Sequence, residues 1–196
     1  HNPNRHFFQR RIADPGSFLM VADRYRSDFM VFDLNLNGER SAVAFASGMT
    51  AVSAALLCAA EGGGRIIAAR NLYGASVDAM DSLFPEFGIE PDFVDDINAL
   101  ALVESLIGPD TRAIFAGSVA NPSTEVADVA ALASVAHRHG IPLIIDNTVP
   151  TPYLFRPIEL GADVVVHSTT NSKWMAAVSR SRGFSMAPTC SPMCRT

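Results

Sequence analysis

The sequence predicts an α/β protein: a mostly parallel sheet with helices on both faces. Two observations carry that reading. Between residues 46 and 168, helical and strand patterns alternate, as βαβ units require. The strand segments are also near-continuous apolar runs, the pattern of strands buried on both sides. A chain of 196 residues, 48% hydrophobic, suffices for one full-sized core of this kind and leaves little for a second large domain.

The elements follow in order. AVSAALLCAA (51–60) reads as a buried helix, opened by the small-residue turn Ser47-Gly48 and closed by Gly62-Gly63-Gly64. RIIAA (65–69) is a strand. VDAMDSLFPEF (77–87) is an amphipathic helix ended by Gly88. PDFVD (91–95) is a short strand, NALALVESLI (98–107) a helix stopped by Gly-Pro-Asp, and RAIFAG (112–117) a strand. ADVAALASVAHRHG (127–140) is a helix with Gly140 at its C-cap. PLIID (142–146) and DVVVH (163–167) complete the strands. Residues 1–40 mix aromatics, Arg and Asp without a period and are expected to be irregular. Residues 176–196, rich in Ser, Pro, Arg and Cys, are expected to form a poorly ordered or non-native tail. The α/β domain proper is expected over 41–175.

Composition narrows the function classes. A net charge of −5 and a pI near 5.4 argue against nucleic-acid or anionic-membrane partners. No apolar run approaches the ~20 residues needed to span a bilayer, and the N-terminal stretch lacks the apolar core of a signal peptide. Cys58, Cys190 and Cys194 form no disulfide framework or metal-ligand spacing, which suits a reducing cytoplasm.

In an open parallel sheet, ligands bind beyond the carboxyl ends of the strands. Tyr73 follows RIIAA, Asn121 follows RAIFAG, Asp146 ends PLIID, and Ser168, Thr170 and Lys173 follow DVVVH. Gly48 and Met49 open the first long helix, where unpaired N–H groups suit a phosphate. A strand-end carboxylate can keep a ring nitrogen protonated, an aromatic face can stack on the ring, and a lysine amine can condense with an aldehyde. Phosphate, protonated pyridine and aldehyde together describe pyridoxal phosphate. Lys173 is the only lysine among the 15 Lys and Arg residues. Taken singly, each residue has a duller reading: Asp146 as an Asx-turn, Tyr73 as the cap of a loop, and Lys173 as a solvent-facing charge. His137 and His139, two apart on a helix, do not share a face and read as charges at the helix C-terminus. Their order at successive strand ends favours the cofactor reading. A nucleotide-binding module fares worse: the glycine cluster 62–64 precedes a strand instead of following one, and G-x-G-x-x-G is absent.

The stretches FASGMTAVSAALL, NLYGAS, FVDD and ANPSTEVADVAALASVAHRHGIPLIIDNTVPTPYLFRPIELGADVVVHSTT closely resemble the Cys/Met-metabolism family of pyridoxal-phosphate enzymes. The resemblance runs from about residue 42 to 170. It implies the large domain of the aspartate-aminotransferase type (fold type I), with the C-terminal small domain missing. It also implies backbone contacts from Gly48 and Met49 to the cofactor phosphate, stacking by Tyr73, and Asn121 beside the ring hydroxyl. Asp146 would pair with the pyridine nitrogen, and Ser168 and Thr170 would bind phosphate. Lys173 would hold the cofactor aldehyde and then serve as the base, with Tyr73 and Asp146 as further catalytic residues.

The chain departs from the family pattern at several places. The family shows S-x-T-K and an aromatic; here Asn171-Ser172 separate Thr170 from Lys173-Trp174. Two extended residues span up to about 7 Å, so the loop must bulge for Lys173 to reach. Gly117 stands where relatives carry Glu, and MAAVSRSRG replaces a glycine-rich turn. These features suggest a truncated, frameshifted or degenerate member. The branch the residues resemble most is O-acetylhomoserine sulfhydrylase, replacing acetate by sulfide or a thiol in methionine biosynthesis and transsulfuration. Cystathionine γ-synthase and methionine γ-lyase are the alternatives, and a non-catalytic remnant is the alternative of another class. Family members are typically homotetramers in the cytoplasm, so a homo-oligomer is expected.

Overall fold

The computed structural model describes residues 30–36, 39–41, 44–45 and 47–168. Among the described residues, eight strands form one sheet: β1 (Met30–Leu36), β2 (Glu39–Ser41), β3 (Ala44–Phe45), β4 (Gly64–Ala69), β5 (Ile89–Val94), β6 (Thr111–Gly117), β7 (Leu143–Asp146) and β8 (Val164–Ser168). Their order is β2-β1-β8-β7-β6-β4-β5, with β3 pairing to β1. The five strands from β8 to β5 are mutually parallel. β1 lies antiparallel to β8, with Phe32 opposite Val166.

The helices are α1 (Gly48–Ala59), α2 (Gly74–Ser82), α3 (Leu100–Leu106), α4 (Val129–Arg138) and α5 (Thr151–Leu154), with 3₁₀ turns at Phe84–Phe87 and Pro157–Leu160. The chain steps outward from β4 to β5, then back past β4 to β6, β7 and β8. Right-handed crossovers therefore place α2 on one face and α3 and α4 on the other. Contacts agree: α1 packs on α2, and α3 packs on α4. Between the two helical layers, Ile66, Ile67, Ile114, Phe115, Leu143, Ile144 and Ile145 are wholly buried. Burial on both faces explains why these strands read as unbroken apolar runs.

Local signals set the boundaries. Ser47 caps α1 by accepting the Thr50 N–H at 3.2 Å, and Asp128 caps α4 by accepting the Ala131 N–H at 3.0 Å. Gly140, in the left-handed region at φ 69°, lets the chain leave α4. The helix expected over 77–87 is divided: α2 ends at Ser82, and Phe84–Phe87 continues as a 3₁₀ turn. Pro85 has no N–H for an α-helical bond and crowds the preceding turn, which accounts for the break. Gly63 and Gly64 carry positive φ, and a Cβ on either would stand 2.7 Å from the Gly88 carbonyl oxygen and 2.6 Å from that of Asp110, respectively. Only glycine allows the start of β4 to pass so close to its neighbours.

One expectation needs correction. Residues 30–36 and 39–41, expected to be irregular, form β1 and β2. The register of a strand against β8 is a long-range choice that local periodicity does not reveal. His137 and His139 do more than complement a helix end. His137 pairs with Asp163 at 2.9 Å, while His139 and Arg138 converge on Glu104. Their different partners follow from their not sharing a face. The expected tail at 176–196 lies outside the described residues.

Candidate active site

Neighbouring strands β4 and β6 send their chains in opposite directions, β4 toward β5 and β6 toward β7. A crevice opens where connections diverge in this way, beyond the carboxyl ends of the strands. A cavity of about 260 Å³ lies there. That is close to the lower bound of roughly 300 Å³ for small-molecule sites. Gly48, Met49, Tyr73, Asn121, Asp146 and Ser168 all line it. Six residues chosen from strand ends and a helix start thus meet in one cavity. Thr170 and Lys173 lie outside the described residues.

Each comes by a different route. Gly48 and Met49 are the first residues of α1, where N–H groups have no carbonyl of their own helix to bond. Their helix end carries partial positive charge, which favours an anion. Tyr73 immediately precedes α2, makes no side-chain cap, and is 55% exposed. A ring left open at a cavity rim presents a face for stacking. Asn121 precedes a cis proline, and its N–H donates to the Asn71 carbonyl oxygen at 3.3 Å. Asn71 in turn donates to Glu125 at 2.6 Å, tying the β4 and β6 loops together.

Asp146 ends β7, with Oδ1 accepting the Thr148 N–H at 3.0 Å. That bond is the Asx-turn allowed by the sequence, so the turn and cavity readings are compatible. Burial pushes the Asp146 carboxyl above the usual range, and hydrogen bonds from the Thr148 side chain and backbone and the charge of His167 oppose it. Beside it, Asn147 is fully buried. It accepts from the Ser118 hydroxyl at 2.7 Å and donates to the Phe155 carbonyl at 2.8 Å. Asn147 therefore locks the segment leaving β7 to the ends of β6 and α5. Gly117 lines the cavity, and a Cβ there would stand 3.3 Å from the Val119 carbonyl oxygen.

A family model described as Cys/Met metabolism PLP-dependent enzyme matches residues 33–181. The chain belongs to that family. It is 47% identical over 135 residues to an L-methionine gamma-lyase from Pseudomonas deceptionensis, covering 68% of this chain and 33% of the relative. It is 42% identical to an O-acetyl-L-homoserine sulfhydrylase from Leptospira meyeri, covering 69% and 30%. The solved structure of an O-acetylhomoserine sulfhydrylase from Wolinella succinogenes superposes with a TM-score of 0.61 at 37% identity, covering 64% of this chain and 35% of that one. A structure described as an O-acetylhomoserine (thiol)-lyase from Campylobacter jejuni gives the same TM-score and identity, covering 63% and 30%, and carries a pyridoxyl-lysine phosphate. The chain thus spans about a third of the length of these relatives.

The family is pyridoxal-phosphate dependent, and the fold is the fold type I large domain that the resemblance implies. The residues present fit that cofactor. A helix N-terminus suits a phosphate, a carboxylate lining the same cavity suits a protonated ring nitrogen, and an exposed aromatic suits the ring face. Among the described residues no cluster of His, Cys, Asp or Glu is arranged for a metal. No helix among them is long and apolar enough to cross a membrane. The residues missed from sequence are Ser47, Asn71 and Thr148. The capping position of Ser47 and the position of Thr148 two residues after Asp146 were the available signals. The role of Asn71 depends on a partner 54 positions away.

Proposed function

We propose that this chain provides the cofactor-binding half of an active site acting at the γ-carbon of a sulfur amino acid or its O-acylated precursor. The supporting observation is that the Asp146 carboxyl and the α1 N-terminus open into one cavity at the sheet's switch point. Bound pyridoxal phosphate supplies an electron sink for charge developing at the substrate α-carbon. Gly48 and Met49 bind the phosphate through backbone N–H groups, with Ser168 and Thr170 adding hydroxyls. Asp146 holds the proton on the ring nitrogen, which requires its carboxylate form. Tyr73 would stack on the ring and assist proton transfer to the leaving group, and Asn121 would lie beside the ring hydroxyl. Lys173 Nζ anchors the cofactor and then takes the substrate α-proton.

The preferred reaction is replacement of the acetate of O-acetylhomoserine by sulfide or a thiol, supported by the likeness to sulfhydrylases among relatives and solved structures. A methionine γ-lyase reaction is the second reading, favoured by the 47% identity to such an enzyme. Assembly into a homo-oligomer accompanies either reading.

The experiment is borohydride reduction of the chain with pyridoxal phosphate, followed by peptide mapping. With one lysine in the sequence, the N-terminal amine is the only competing primary amine. Label at Lys173 is the expected result. Label confined to His1, or no label, overturns the proposal and favours the non-catalytic remnant. Acetate release from O-acetylhomoserine that depends on sulfide would favour the first reaction, and thiol release from methionine the second.

A further inference from the structure

Two walls of the cavity come from adjacent parallel strands. Asp146 ends β7 and Ser168 ends β8, and Asp146 sits in register with Val166. Hydrogen bonding between the strands does not by itself fix the two side chains beyond the sheet. Thr148 does so with two different groups. Its N–H donates to Asp146 Oδ1 at 3.0 Å, and its Oγ1 accepts the Ser168 N–H at 2.8 Å. The hydroxyl proton is left to serve the Asp146 carboxylate. One residue thus holds both the carboxyl and the end of the neighbouring strand.

We propose that Thr148 is a positioning residue that sets the separation between the Asp146 carboxylate and the Ser168 strand end, and so matches the cavity to a ligand anionic at one end and cationic at the other. This rests on the reading of the cavity as a pyridoxal-phosphate site, in which Asp146 meets the ring nitrogen and Ser168 the phosphate. A serine keeps both polar links. A valine of the same shape keeps the N–H but loses the acceptor for Ser168 and the donor toward Asp146. The carboxyl is the group whose state reports the loss. Burial raises its pKa, and the Thr148 side chain and backbone, with the charge of His167, hold it down.

The test uses Thr148→Val and Thr148→Ser in the full 196-residue chain, with two readouts. The first is the titration of the Asp146 carboxyl carbon by NMR without cofactor. It is expected to move to higher pH in Thr148→Val and to return in Thr148→Ser. The second is pyridoxal phosphate affinity by absorbance, expected to fall about tenfold in Thr148→Val and to recover in Thr148→Ser. An Asp146 titration unmoved by Thr148→Val, or a Thr148→Ser chain as weak as Thr148→Val, overturns the proposal. Failure of the wild-type chain to take up pyridoxal phosphate overturns the cofactor reading instead, while the titration still judges the link from Thr148 to Asp146.

Discussion

Replacing Asp146 by asparagine removes one charge from the cavity wall and leaves an oxygen for the Thr148 N–H. The structure dictates how stability should respond to pH. Burial raises the folded-state pKa of Asp146 above its unfolded value, outweighing the Thr148 hydrogen bonds and the His167 charge. Between the unfolded value, about 3.9, and the raised folded value, the folded chain binds more protons than the unfolded one. The contribution of Asp146 to stability is therefore fully present below about pH 3.9 and is lost as pH rises through the folded pKa. One proton sets the ceiling of the slope, about 1.4 kcal/mol per pH unit. Asparagine does not titrate and lacks this slope. Urea denaturation of both cofactor-free chains from pH 4 to pH 7 should show Asp146→Asn gaining on wild type as pH rises. Pyridoxal phosphate should shift the balance back toward wild type near pH 7, because the ionised carboxylate has a cationic partner only when the ring is bound. Parallel stability curves without cofactor, or a wild type that gains on the variant with rising pH, would refute the reasoning.

Other outcomes follow from the packing. Phe115→Ala empties a fully buried site in the central strand β6 and should cost about 3–5 kcal/mol by denaturant unfolding. Asn147→Ala strands the Phe155 carbonyl and one bond of the Ser118 hydroxyl, and should cost about 2–4 kcal/mol in the same assay. Gly63→Ala forces a Cβ to within 2.7 Å of the Gly88 carbonyl oxygen at positive φ, and should lower the thermal midpoint by the equivalent of at least about 1–3 kcal/mol. Tyr73→Ala, at an exposed position, should leave stability within about 0.5 kcal/mol while weakening pyridoxal phosphate binding measured by absorbance.

Much of this protein is written in local patterns. Apolar runs flanked by turn residues mark β4, β6, β7 and β8 to within one residue at each end, because strands buried on both faces leave no alternation to confuse them. That Tyr73, Asn121, Asp146 and Ser168 line one cavity is legible because a parallel sheet presents its strand ends on one side, and Gly48 and Met49 join them from a helix start. Tertiary structure alone decided the rest. The antiparallel pairing of β1 to β8 is a choice among distant partners, invisible in a segment of mixed aromatic and charged residues. The partners of His137 and His139 lie 26 and 35 positions away. The double hold of Thr148 on Asp146 and Ser168 exists because β7 and β8 are neighbours, which no spacing within Asp146-Asn147-Thr148 records. The sequence by itself determined which residue types reach the strand ends, since that depends on local propensity and burial. The order of strands, and hence which of those ends face one another across a cavity, was decided by long-range packing of the sheet.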